Sequence, residues 1–127
     1  MTDTTAATVR LAIPSELPGG LDAARSGHFG RCACFTLIDV AGGDIGQVEV
    51  LTNAPHTEGG CMAPVLVLAE YNVDAIVVDG IGGRPLTGFN QVGIAVYAGL
   101  GADVRTAAEA YIAGSLPVVG LEGACQH

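Results

Sequence analysis

The chain contains no lysine. Five arginines stand against thirteen acidic residues, giving a formal net charge of −8. That balance repels nucleic acid and anionic membrane unless charge is strongly segregated, so neither is expected as a partner. It also makes any convergence of two arginines notable. Nor is there an apolar run of the ~18 residues that a membrane-spanning helix needs. The start, Met1-Thr2-Asp3-Thr4-Thr5, lacks the basic-then-apolar order of a secretory signal. The expected compartment is therefore the cytoplasm, where the four cysteines stay reduced and read as ligands or core. There is no CxxC pair, and cysteines without one must converge through the fold, unlike those of a sequence-local zinc module. What is present is a large apolar fraction: 50% hydrophobic residues and only 14% charged in 127 residues. One domain of that size buries roughly two-thirds of its unfolded surface. Residues 1–7 and 120–127 read as flexible tails of that single domain.

Val9-Arg10-Leu11-Ala12-Ile13 alternates, with Val9, Leu11 and Ile13 on one face, and predicts a short strand ended by Pro14. Pro14 to Gly30 is a long connection; such lengths are functional or carry a short helical turn. Cys34 to Val40 predicts a second strand, Ala41 to Gly46 a turn, and Gln47 to Thr52 a half-exposed edge strand, together a hairpin. A second loop, 53–60, leads to a helix opened by Cys61-Met62-Ala63-Pro64 and running to about Tyr71. Pro64 suits a first turn, where its missing N–H is no loss. Val65, Leu66, Leu68 and Ala69 are the expected buried side of this helix, widened by Val67. Ala75 to Asp79 is continuously apolar up to its last residue, as a central strand covered on both faces would be. A short helix from about Pro85 to Val92, a strand Ile94–Tyr97 and a helix Val104–Ala113 follow. Asp103 is the expected N-cap of the last helix, and Gly114 its stop.

Three strands followed by helix, strand, helix, strand and helix predict an α/β domain with one mixed sheet, its last strands parallel. Ligands of such sheets gather at the carboxyl ends of the parallel strands, beside helix N-termini. Gly80-Ile81-Gly82-Gly83-Arg84 falls there, as does the helix start at Cys61.

The densest chemistry lies in Ser26-Gly27-His28-Phe29-Gly30-Arg31-Cys32-Ala33-Cys34. Glycines on both sides of His28-Phe29 allow a turn that holds His28, Arg31 and Cys32 toward one spot. Imidazole, guanidinium and thiolate together suit an anionic, metal-containing ligand. The plainer alternative is a tight loop whose cysteines are small buried hydrophobes. Cys61 at a helix start should have a lowered pKa suited to ligation or redox chemistry. Cys34, inside a strand, reads as core. Gly80 to Gly83 lacks the Gly-Lys-Ser/Thr ending of a P-loop, and close helix–sheet packing alone explains its glycines. Arg84 adds a charge to that helix start. The closing Cys125-x-His127 is hard to explain as core, since a terminal tail has little to pack against. His56 reads as a surface histidine. Asp39, Asp74 and Asp79 lie in or beside strands and raise a nuclease-like alternative; Asp39 is expected to face outward and Asp74 to start a strand.

Several blocks in order carry a resemblance: His28-Phe29-Gly30-Arg31, Gly59-Gly60-Cys61-Met62-Ala63-Pro64, Asn72-Val73-Asp74-Ala75-Ile76-Val77-Val78, Gly80-Ile81-Gly82 and Gly93-Ile94-Ala95-Val96-Tyr97. Over residues 9 to 127 the chain resembles the dinitrogenase iron–molybdenum cofactor biosynthesis family. That family includes nitrogenase accessory factors and a carrier of a molybdenum–copper sulfide cluster. Gly83-Arg84-Pro85-Leu86-Thr87-Gly88-Phe89 and Cys125-x-His127 resemble a branch of stand-alone members. The resemblance implies a ribonuclease H-like fold, a mixed five-stranded sheet with about three helices, used for cluster binding without nuclease carboxylates. It also implies that the His28 loop, the helix start at Cys61 and the Gly80 turn border one pocket.

The expected function is thus binding or carriage of an anionic metal–sulfur cluster, containing iron, molybdenum or both, rather than catalysis. Cys32 and Cys61 are the expected thiolate ligands, close together, with Cys34 buried elsewhere. His28 is a ligand or donor, Arg31 and Arg84 neutralise charge, and the amides from Gly80 through Gly82 to Gly83 donate to sulfide. Gly30 shapes the turn, and Cys125 and His127 close over the site. Donor and acceptor proteins for the cluster are the expected partners. A redox or regulatory thiol module without cargo and a zinc-stabilised interaction domain are the alternatives.

Overall fold

The computed structural model describes residues 8–26, 32–52, 62–79, 81, 83–99 and 102–119. Five strands and three helices lie among them: β1 (Thr8–Ser15), β2 (Cys34–Ala41), β3 (Asp44–Thr52), α1 (Met62–Glu70), β4 (Ala75–Val78), α2 (Gly83–Gln91), β5 (Ala95–Ala98) and α3 (Val104–Ile112). They form one sheet in the order β3-β2-β1-β4-β5. The β1/β2 and β2/β3 pairs are antiparallel, and β4 runs parallel to both β1 and β5. This is the expected mixed α/β architecture. Each parallel step crosses over through a helix, as connections between parallel neighbours must.

Period-two alternation sorts the strand side chains onto two faces. Ala12, Phe35, Leu37, Ile76, Val78 and Val96 pack with Val65 and Leu68 of α1 and Leu86 and Phe89 of α2. Leu11, Ile13, Ile38, Val40, Ala75 and Val77 pack with Val104, Ala107 and Ala108 of α3. Every residue of β4 is buried, in agreement with its unbroken apolar run. The cap of α3 is also as expected. The Asp103 carboxylate accepts the Thr106 N–H at 2.7 Å; hydrogen bonding from the Thr106 side chain first, and from its backbone N–H second, holds the Asp103 pKa below the ordinary value. Gly114 takes a left-handed φ of +75° just past the helix end.

Three expectations are corrected. Pro14 does not end β1, which continues to Ser15 with Pro14 opposite Phe35. The N–H and C=O of Arg10 both point toward the β4 side, where they meet Asp74. With a period of two, Pro14 turns its missing N–H to that same side, away from the β2 ladder. The β4 ladder registers only Leu11 and Ala12. Second, β3 begins at Asp44 rather than Gln47 and holds an extra residue, since Ile38 faces Val48 but Val40 faces Ile45. Gly46 sits in this bulge, where a Cβ would come within 2.9 Å of the Asp39 carbonyl oxygen. Third, α1 buries Val65 and Leu68, but Leu66 is 57% and Val67 38% exposed. The long connection after β1 carries no helix between residues 16 and 26; it folds back along the sheet end instead.

Candidate functional site

The carboxyl ends of β1, β4 and β5 lie together with the start of β2, because Ser15 is paired with Cys34 and Val78 with Ala98. All three helices begin at this end and run away from it. For α1 this follows from Tyr71, just past its last turn, whose carbonyl accepts the Arg10 guanidinium at the opposite end. The first turns of α1 and α2 carry no acidic residue. Their positive dipole ends therefore favour an anion here, although the whole chain is acidic. The described residues flanking segments 27–31, 53–61 and 100–101, and those flanking residues 80 and 82, are gathered at this end.

The segment after β1 closes one side. Glu16 donates its N–H to the Ala24 carbonyl, and Ser26 donates to Pro14, so the chain turns back on the strand it has just left. Arg25 pairs in register with Ser15 and donates its N–H to the Ala102 carbonyl. Its side chain, 7% exposed, reaches Asp79 at the end of β4, with Nη2 2.6 Å from Oδ1. The guanidinium also lies against Gly99 after β5. A Cβ on that glycine would collide with Nη1, and would sit 2.7 Å from Cζ and 2.9 Å from Asp79 Oδ1. One buried cation thus spans the ends of three strands. Sequence reasoning missed Arg25 because it belongs to no motif; its signal was the scarcity of cations.

A buried polar relay supports the same segment. Ser15 Oγ donates to the Ile13 carbonyl at 2.6 Å, so its bond with Thr36 Oγ1, at 2.8 Å, takes the Thr36 proton. Gly20 N–H in turn donates to Thr36 Oγ1. Cys34 is fully buried beneath this loop, its Sγ 3.7 Å from the Ser15 carbonyl and 3.6 Å from that of Glu16. Burial first, and the Glu16 carboxylate second, push its pKa up. Cys34 is a core thiol, as expected. Cys32 is 5% exposed and packs in the core beneath α1 and α2.

Of the other expected site residues, Gly83 and Arg84 occupy the first turn of α2, at the carboxyl end. His28, Gly30, Arg31, Cys61, Gly80, Gly82, Cys125 and His127 lie outside the described residues. His56 does so too. Among the described residues no three His, Cys, Asp or Glu side chains come close enough to hold a metal ion.

The three aspartates of the nuclease-like alternative separate. Asp39, 24% exposed at its side chain, pairs with Arg10 Nε at 3.0 Å, and Asp74 accepts the Arg10 N–H at 2.9 Å. Both are at the amino end of β4, whereas Asp79 is at its carboxyl end. A cavity of about 280 Å³ opens beside the Arg10–Asp39 pair, lined also by Gln47 and Glu49. It lies at the opposite end from the helix starts, and the one cation of its lining, Arg10, is already paired with Asp39.

The family model for the dinitrogenase iron-molybdenum cofactor matches residues 9–114, from the second residue of β1 to just past α3. The chain belongs to this family. An uncharacterised Methanocaldococcus jannaschii protein, MJ0580, is 34% identical over 74 residues, 57% of this chain and 63% of its own length. The chain thus matches under two-thirds of that relative. The crystal structure of PH0822 superposes with a TM-score of 0.73 at 31% identity, covering 87% of this chain and 96% of that one. The apo form of the orange protein from Desulfovibrio gigas superposes with a TM-score of 0.76 at 26% identity, covering 87% and 92%. The family is named for the dinitrogenase iron-molybdenum cofactor. No helix among the described residues is long and apolar enough to cross a membrane.

Proposed function

We propose that this protein binds an anionic metal–sulfur cluster at the carboxyl end of its sheet and carries it between a donor and an acceptor protein, without catalysing a reaction. The observation that carries the reading is the family match over residues 9–114, joined to a sheet end where the first turns of two helices carry no acidic residue. Cys61, next to the start of α1, and Cys32 are the proposed thiolate ligands; the helix N-terminus stabilises the ionised form of Cys61. His28 serves as ligand or donor, Arg31 and Arg84 balance charge, and the Gly80–Gly83 amides donate to sulfide. Cys125 and His127 close the site.

Anaerobic reconstitution of the full chain with iron and sulfide, with and without molybdate, tests this. A coloured species is expected whose yield falls steeply in Cys61→Ala and Cys32→Ala. Yield is counted per folded molecule, because Cys32 also packs in the core. Arg84→Ala should weaken binding by only about 1–3 kcal/mol, the worth of one charge-assisted contact. Normal loading of both cysteine variants together with loss in Arg84→Ala would replace thiolate ligation by an electrostatic cradle.

A further inference from the structure

Among the described residues, the Arg25–Asp79 pair is the charged group built most firmly into the carboxyl end. Asp79 follows the last residue of the central strand β4 and is 52% exposed at its side chain. Arg25 is almost wholly buried beneath it and reaches it from a segment tied to β1 and to Ala102. The room for the guanidinium against β5 exists because residue 99 is glycine. Two neighbouring helix starts make this end attractive to anions, yet an exposed carboxylate stands in its midst. The Arg25 guanidinium lies directly against that carboxylate and offsets its charge.

We propose that Arg25 and Asp79 set the charge of the cargo this end accepts: Arg25 neutralises the Asp79 carboxylate, so that an anionic thiometallate is tolerated beside it. This rests on the carrier reading above. It assigns to Arg25, outside every sequence motif, the role of a specificity-determining residue that need not touch the cargo. The two partners then have opposite effects. Asp79→Asn removes a negative charge from the rim and tightens binding, whereas Arg25→Met exposes an uncompensated carboxylate and weakens it. A purely structural ion pair predicts weakening from both changes.

The test titrates the full-length protein anaerobically with tetrathiomolybdate, a small thiometallate dianion, followed by absorbance at 0.1 M and at 0.5 M salt. For one unit charge acting on a dianion at a partly screened distance, Kd should fall about tenfold in Asp79→Asn and rise about tenfold in Arg25→Met. Both effects should shrink at high salt. Asp39→Asn makes the same change in net charge at the opposite end of the sheet. Five residues of strand separate the two levels, roughly 16 Å and more than a Debye length at 0.1 M salt. Its Kd should stay within about twofold of wild type. Where Arg25→Met does not fold, the comparison of Asp79→Asn with Asp39→Asn decides alone. Tight binding by the wild type, lost in Cys61→Ala but unchanged or weakened in Asp79→Asn, would overturn this inference and leave the carrier reading standing. Absence of binding by the wild type would overturn both.

Discussion

Cys32 and Cys34 are two positions apart and differ in their surroundings. Cys32 packs with Phe35, Leu37 and the helices α1 and α2, while Cys34 lies under residues 16–20 beside the Ser15 and Glu16 carbonyls. The Cys34 thiol has its pKa raised, so the folded state holds that proton more tightly than the unfolded state does. The sign follows from linkage. The contribution is fully present below the ordinary thiol pKa of about 8.5, and is lost as pH rises through the higher folded value. Cys34→Ala should cost about 1–3 kcal/mol at neutral pH through lost packing of a buried side chain, and the linkage predicts a shallower alkaline loss of stability in urea titrations. Native Cys34 should also resist alkylation at pH 8; rapid labelling in the folded state would contradict its burial. That Cys34 is core was legible, because it opens an apolar strand. Arg25 was not, because its importance arises from two elements, β4 and β5, that are 50 or more residues further along the chain.

At the scale of the element, α1 shows what periodicity cannot convey. Its nine residues, Met62 to Glu70, are apolar except the last. Any stripe could face the sheet, and the expected stripe wrongly included Leu66. Packing against Val73 and Phe89 selects Val65 and Leu68. Leu68→Ala should cost about 2–5 kcal/mol, the range for emptying a packed site. Leu66→Ala, at a residue 57% exposed, should stay within about 0.5 kcal/mol of wild type. Urea unfolding of the two variants checks the difference, and equal losses would mean that α1 is rotated. Strand β4 and the Asp103 cap were legible for the converse reason, since an unbroken β-branched run and a capping side chain are each specified locally. Pro14 misled because its cost depends on which neighbouring strand its nitrogen faces, which one strand's sequence does not contain.

For the whole molecule, the order of elements was enough to anticipate a mixed sheet with parallel strands at its end. The two ends of that sheet differ in kind. At the amino end of β4 the chain makes short turns, at Gly42-Gly43 between β2 and β3 and at Asn72 before β4, each using left-handed backbone. The carboxyl end holds the helix starts and the Arg25–Asp79 pair. Three Gly-Ser residues inserted between Gly42 and Gly43 should lower Tm by only a few degrees, since loop entropy grows slowly with length. Cluster yield per folded molecule should not change. A fall in yield with the fold intact would place the cargo at the wrong end.

The sheet's outer edges also differ. The edge of β5 is covered by residues 117–119, through Ala98 N–H to the Pro117 carbonyl and Val119 N–H to the Val96 carbonyl. No described strand or bridge pairs with the outer edge of β3. Polymerisation by strand addition requires two adhesive edges per molecule, one to receive and one to offer. Among the described residues β5 is already occupied by its own chain, so β3 there has another β3 to meet, about a twofold axis, and the growth of such an assembly terminates at a pair.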